Sequence, residues 1–293
     1  MAAANANANV NARADDAAST SSTAPRALVR AEGLALAYGN QPIQHDLSFD
    51  IRAGEVFVIA GGSGCGKSTL LRALVGLQLP AAGRVLYGQR DLYALQAAGD
   101  DESLAALAAL QREIGVTFQA GALWSSMTVG ENVMLPLQLF TPLDAAEREQ
   151  EARFRLALVG LDASFDVEPA SLSGGMKKRA AIARALALDP TLLFLDEPSA
   201  GLDPLTAADL DALLLRLRDD LATTVVLVSH ELQSIFAVAD RLLFLDAATR
   251  TMTALGPPRQ LAQQGPEGVR RFLTRGGAAS DLTLANTHTS APA

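Results

Sequence analysis

The run Gly61-Gly62-Ser63-Gly64-Cys65-Gly66-Lys67-Ser68-Thr69 constrains this chain more than any other stretch. It follows the apolar segment Glu55 to Ala60, which reads as a short buried strand. It precedes Leu70 to Leu77, whose aliphatic residues can line one side of a helix. Strand, glycine loop and helix in that order form the setting a phosphate-binding loop needs. Glycines let the backbone curl until several N–H groups point inward, and the helix N-terminus adds partial positive charge. In that geometry Lys67 reaches the β- and γ-phosphates of a nucleotide and the Ser68 hydroxyl ligates Mg²⁺. All nine residues, Gly61 to Thr69, are therefore candidate nucleotide contacts.

Other candidates fall into place around the loop. Tyr38 lies upstream, where its ring could stack on adenine or serve as an ordinary half-buried strand tyrosine. The strand Ile114 to Gln119 ends in an amide that could bond a metal, or a water beside a γ-phosphate; alone, such a glutamine is a surface residue. Ser173, Gly174 and Gly175 open a helical stretch that Asp189-Pro190 stops. They form a second anion-binding N-terminus or a plain capped helix. The aliphatic strand Leu192 to Leu195 ends in Asp196 and Glu197, the first suited to hold Mg²⁺ and the second to orient or deprotonate a water. A last buried strand, Thr224 to Val228, ends at Ser229-His230, and His230 could hydrogen-bond the γ-phosphate.

Composition sets the surroundings. The 293 residues are 49% hydrophobic, yet no apolar run approaches the roughly 18 residues of a membrane span. Residues 1–26 are rich in Ala, Asn, Ser and Thr and read as a disordered tail without the apolar segment of a signal peptide. Residues 276–293 read likewise. One cysteine, Cys65, excludes an intrachain disulfide and fits a reducing compartment. A net charge of −8 argues against a nucleic-acid partner. Lysine occurs only at Lys67, Lys177 and Lys178, against a background of arginine. Residues 97–109 read as an insertion, and the helical pattern Leu104 to Arg112, opened by Asp100 to Ser103, reads as an added surface helix with no assigned chemistry. Ala145 to Leu161 reads as a solvated amphipathic helix, and Arg259 to Thr274 as one C-terminal helix.

The order of these pieces, with Leu172-Ser173-Gly174-Gly175 and Asp203 among them, resembles the nucleotide-binding subunit of ABC transporters over residues 28–275. The resemblance implies an α/β fold: a P-loop NTPase core of ABC ATPase type, an antiparallel β subdomain, and a helical signature subdomain near 120–185, all within 27–275. It implies that two copies pair head to tail around two ATP and Mg²⁺. Ser173, Gly174 and Gly175 would then touch the γ-phosphate held by Lys67 of the second copy, and Asp203 would join that contact. Glu197 becomes the general base, and Gln119 couples the site to an integral membrane permease. The subunit would sit peripherally on the cytoplasmic face of the inner membrane.

A narrower resemblance, to the ATPases of Mla/Mce-type lipid transporters, rests on several segments. They are Phe118 to Trp124, Glu131 to Leu137, Met176-Lys177-Lys178-Arg179 after the signature, Asp196 to Pro204, and Val269 to Leu273. It implies phospholipid or another hydrophobic cargo and an Mce-type lipid-binding partner. The alternative is an importer or exporter of another solute. A soluble ABC protein acting on ribosomes or DNA fits less well, because the chain has one phosphate loop, one cysteine and no sustained heptads.

Overall fold

The computed structural model describes residues 26–119 and 121–275. The two terminal tails expected from composition lie outside the described residues, except Arg26.

The alternation of apolar residues from Ala27 onward builds a hairpin of β1 (Ala27–Tyr38) and β2 (Gln41–Arg52), turned at Gly39-Asn40. Each strand has 12 residues, longer than the short patches expected, because bulges carry the pairing through the polar positions. The fully buried run β3 (Val56–Gly61) leads into α1 (Lys67–Leu74). The strands β4 (Ala82–Tyr87) and β5 (Arg90–Asp91) complete an antiparallel sheet of order β2-β1-β4-β5.

Two short helices follow, α2 (Leu92–Ala98) and α3 (Asp101–Arg112). Asp91 and Asp100 cap them by accepting hydrogen bonds from Tyr93, Ala94 and Ser103 backbone N–H groups. The added helix is not purely a surface element, since Leu110 is fully buried.

The second sheet is the scaffold of the site. Its order is β10-β9-β3-β8-β7-β6, with β6 (Ile114–Thr117), β7 (Leu192–Asp196), β8 (Thr224–Val228), β9 (Arg241–Asp246) and β10 (Thr251–Gly256). The five strands from β9 to β6 run parallel, and only β10 is antiparallel. Parallel strands are covered on both faces, which explains why β3, β7 and β8 are buried at every position and apolar at all but Thr224 and Asp196. Parallel order also brings the ends of β3, β7 and β8 to one edge, where ligands bind in open α/β sheets.

Two cores flank this sheet. One joins it to α1 and the antiparallel sheet, with Phe57, Ile59, Leu70, Leu74 and Phe194 completely buried. The other joins it to α4 (Val129–Phe140), α5 (Ala145–Leu158), α6 (Gly174–Ala185), α7 (Pro204–Leu221) and α8 (Leu232–Val238). Capping boxes start α4 at Thr128 with Glu131 and α5 at Asp144 with Glu147. The α5 helix is less solvated than its charges imply. Arg155 is buried and reaches Glu151 at 2.5 Å and Asp189 at 3.2 Å.

The C-terminal segment forms two helices instead of one, α9 (Pro258–Gln264) and α10 (Glu267–Thr274). Pro266 separates them, because its ring offers no N–H and clashes with the preceding turn of a continuous helix.

Candidate nucleotide-binding site

The loop from Gly61 to Thr69 wraps the end of β3 and the start of α1. Two of its glycines are required by space as well as by backbone angle. Gly61 has φ +153°, and a methyl there would stand 2.4 Å from the Leu245 carbonyl oxygen. Gly66 has φ +98°, and a methyl would stand 2.6 Å from Ile43 Cγ2. Lys67 is buried and folds back, donating to the carbonyls of Gly61 (3.2 Å) and Gly62 (3.1 Å). Carbonyls are weak partners for an ammonium held this far from water, so the group is poised to exchange them for anionic oxygens.

A cleft of about 410 Å³ opens over the loop, with Ser63, Lys67, Ser68 and Thr69 in its wall and Tyr38 at its edge. Tyr38 is 53% exposed. The Thr69 hydroxyl, and to a lesser extent Arg72, hold its phenol below the usual tyrosine range. Its ring therefore presents a free face beside the cleft, as stacking on a base requires. A second cleft of about 410 Å³ meets the loop from the other side, lined by Glu197, His230, Phe272 and Arg275 as well as Lys67.

At the ends of β7 and β8 the polar groups converge. Ser68 donates from Oγ to Asp196 Oδ1 at 3.0 Å. Burial pushes the Asp196 carboxyl up, against the Ser68 hydrogen bond and the charges of Arg72 and Lys67, which lower it. A buried carboxylate beside a hydroxyl is a hard-oxygen pair that would suit Mg²⁺. Glu197 has φ +48°, an uncommon conformation for a non-glycine residue. Its N–H donates to the Val228 carbonyl at 3.0 Å. Its carboxylate lies 3.0 Å from His230 Nδ1 and accepts from Gln119 Nε2 at 3.4 Å. The Gln119 amide is thus turned toward Glu197, and no hydrogen bond joins it to Ser68 or Asp196 among the described residues.

Four candidates stand apart from this cluster. Ser173 caps α6, accepting from Met176 N–H at 3.3 Å, and Gly174 and Gly175 form the helix's first turn. None of the three lines either cleft. Gly175 instead packs on α7, where a methyl would lie 2.4 Å from Thr206 Cγ2. Asp203 caps α7, accepting from Thr206 N–H at 3.0 Å and Thr206 Oγ1 at 2.6 Å. Signature and Asp203 therefore form one surface, and within a single chain it is not part of the cleft.

Within the loop, Cys65 lines neither cleft. Its side chain is 2% exposed and belongs to the core beneath the loop, where burial pushes the thiol up. Only its backbone can face a nucleotide.

Sequence reading missed Lys178. Its ammonium, half-way down the first turns of α6, donates to the Gln119 carbonyl and, at 3.4 Å, to the Glu197 carbonyl. A lysine in a chain that otherwise uses arginine was the available signal.

A family model described as ABC transporter matches residues 44–200, the segment from the loop through Asp196 and Glu197. The chain belongs to the ABC transporter family. Its reaction is ATP hydrolysis, with ATP and Mg²⁺ as nucleotide and metal. It is 39% identical over 249 residues to the methionine import ATP-binding protein MetN of Caulobacter vibrioides, covering 85% of this chain and 72% of that one. It is 43% identical over 233 residues to MetN of Xanthomonas campestris pv. campestris, covering 78% of this chain and 66% of the relative. The chain thus spans about two thirds of the length of these relatives.

Among solved structures, cbiO1 from Clostridium perfringens, part of the ABC transporter complex cbiONQ, superposes with a TM-score of 0.71 at 25% identity. That match covers 88% of this chain and 99% of the other. The ATP-binding cassette MJ0796, dimeric and bound to ADP and Pi, gives 0.68 at 29% identity, covering 78% and 98%. Among the described residues no helix is long and apolar enough to cross a membrane.

Proposed function

We propose that this chain is the ATPase subunit of an importer, pairing with a second copy around two ATP to drive a separate permease at the cytoplasmic face of the inner membrane. The observation that carries the reading is the split site. Loop, Asp196, Glu197 and His230 share one edge of the sheet, while Ser173, Gly174 and Gly175 lie outside both clefts. A second cassette turned head to tail supplies the missing surface, as the dimeric MJ0796 cassette supports. The relatives named for methionine import favour an imported small solute over phospholipid.

In this reading the loop N–H groups and Lys67 hold the phosphates, and Ser68 with Asp196 holds Mg²⁺. When bound, Mg²⁺ offsets charge on the β- and γ-phosphate oxygens. Glu197 accepts a proton from the attacking water. His230 at 3.0 Å and Gln119 at 3.4 Å hold its two carboxylate oxygens in place. Lys178 steadies the backbone carrying both Gln119 and Glu197. Ser173, Gly174, Gly175 and Asp203 contribute to the site of the second copy.

Phospholipid transport with an Mce-type partner is the second reading. It is carried by Met176 after the signature and by the 118–137 segment, and the relatives' names do not support it. Purifying the membrane complex through a tag on this chain and reconstituting it in proteoliposomes separates the two. ATP-driven methionine accumulation supports the importer. Movement of labelled phospholipid without methionine uptake overturns it in favour of the second reading.

A further inference from the structure

The buried polar residue Gln44 has no place in the chemistry described so far, yet it touches the loop directly. Its side chain is 1% exposed. Its Nε2 donates to the Cys65 carbonyl at 2.6 Å and to the Asp246 carbonyl at 3.3 Å. Both partners accept only, so the orientation of the amide is fixed by chemistry: the NH₂ must face them. Its Oε1 is buried with no hydrogen-bond partner among the described residues. Burying an acceptor without a donor is costly, and a residue that serves packing alone would not retain it.

The backbone is shaped to put Gln44 there. Leu34 pairs with Leu47, but Leu36 pairs with Gln44, so β2 carries one extra residue against β1. The extra residue falls beside Asp46, which takes the left-handed φ of +53°. Side chains alternate along a strand, so the bulge reverses the parity set by buried Leu47, Phe49 and Ile51. Without it His45 would face the core; with it Gln44 does, and His45 is exposed. Immediately beside Gln44, Ile43 fills the space that the missing side chain of Gly66 leaves.

We infer that Gln44 is a positioning residue for the phosphate loop. It draws the Cys65 carbonyl outward, toward the antiparallel sheet, and ties it to the end of β9. A carbonyl turned into the loop would repel phosphate oxygens, whereas one held outward leaves the inner surface to N–H donors. The orphaned Oε1 is then a cost in stability exchanged for a preformed anion cradle. The inference rests on the loop being that cradle.

The test is calorimetric titration with ADP, which engages the loop without being hydrolysed, on the wild type, Gln44→Met, Gln44→Asn and Lys67→Ala. Met keeps the volume without the donor, and Asn keeps the amide one methylene short. We expect Kd for ADP to rise about tenfold in both Gln44 variants, the loss of one to two buried hydrogen bonds. The ADP-induced rise in Tm should shrink accordingly, and KM for ATP should rise more than kcat falls. A packing role alone would lower the ligand-free Tm and leave Kd untouched. Wild-type Kd in both folded variants, with Lys67→Ala weakened, overturns the role of Gln44. Wild-type Kd in Lys67→Ala as well overturns the cradle and this inference together.

Discussion

Adding one methyl group at Gly175 should damage the protein through a single contact, and removing one methyl elsewhere should repair it. A Cβ on Gly175 would lie 2.4 Å from Thr206 Cγ2, far inside van der Waals contact, while the next nearest atom, Thr206 Cβ, is 3.8 Å away. Overpacking of this kind costs about 1–3 kcal/mol. Alanine in place of glycine within a helix returns about 0.5–1 kcal/mol. Gly175→Ala should therefore destabilise by a net of about 1–2 kcal/mol. Thr206→Ser removes the offending methyl but keeps the hydroxyl and N–H that bind Asp203. Alone it should cost less than about 1 kcal/mol. In its background Gly175→Ala should become neutral or stabilising, a coupling of at least about 1 kcal/mol in a double-mutant cycle. Urea unfolding of the four proteins without nucleotide measures it. Equal cost of Gly175→Ala in both backgrounds would refute the packing argument and the join between signature and Asp203 that it describes.

Three further expectations follow from particular environments. Cys65, buried and with its thiol pushed up by desolvation, should resist a maleimide in the folded protein and react once guanidinium unfolds it; rapid labelling of the native chain would contradict its placement. Burial pushes the Asp211 carboxyl above its ordinary range, outweighing a hydrogen bond from Ser234. A raised folded pKa penalises the carboxylate, so stability falls as pH rises through it. Asp211→Asn should raise Tm at neutral pH, with the gain vanishing in acid where the wild type is protonated; a gain independent of pH would contradict the assignment. Lys178→Met should lower kcat about tenfold or more through loss of charge-assisted bonds to two backbone carbonyls, and Lys178→Arg should restore most of it. Equal kcat in the Met variant would show that the ammonium does not steady Glu197.

The features legible in sequence are those fixed by short local rules. The phosphate loop announces itself because strand, glycines and lysine must be contiguous, and the buried parallel strands because they are apolar at nearly every position. Asp196, Glu197 and His230 were placed correctly as strand ends, since parallel strands that end together must bring their last residues together. What stayed hidden depends on backbone geometry that composition does not encode. The inward turn of Gln44 follows from a one-residue bulge. The side on which Cys65 lies follows from the curl of the loop. The break between α9 and α10 was available in Pro266 and overlooked. The separation of Ser173, Gly174 and Gly175 from the cleft is a tertiary fact that a linear motif cannot express.

Light scattering on Glu197→Gln, with and without Mg-ATP, asks whether two copies pair around the nucleotide. A monomer is expected without nucleotide and a doubling of mass with Mg-ATP. Ser173→Arg should abolish the doubling while ATP still binds, as expected if the signature surface serves the nucleotide of the second copy. A protein that binds Mg-ATP and stays monomeric, or that pairs as readily without nucleotide, would contradict nucleotide-driven pairing.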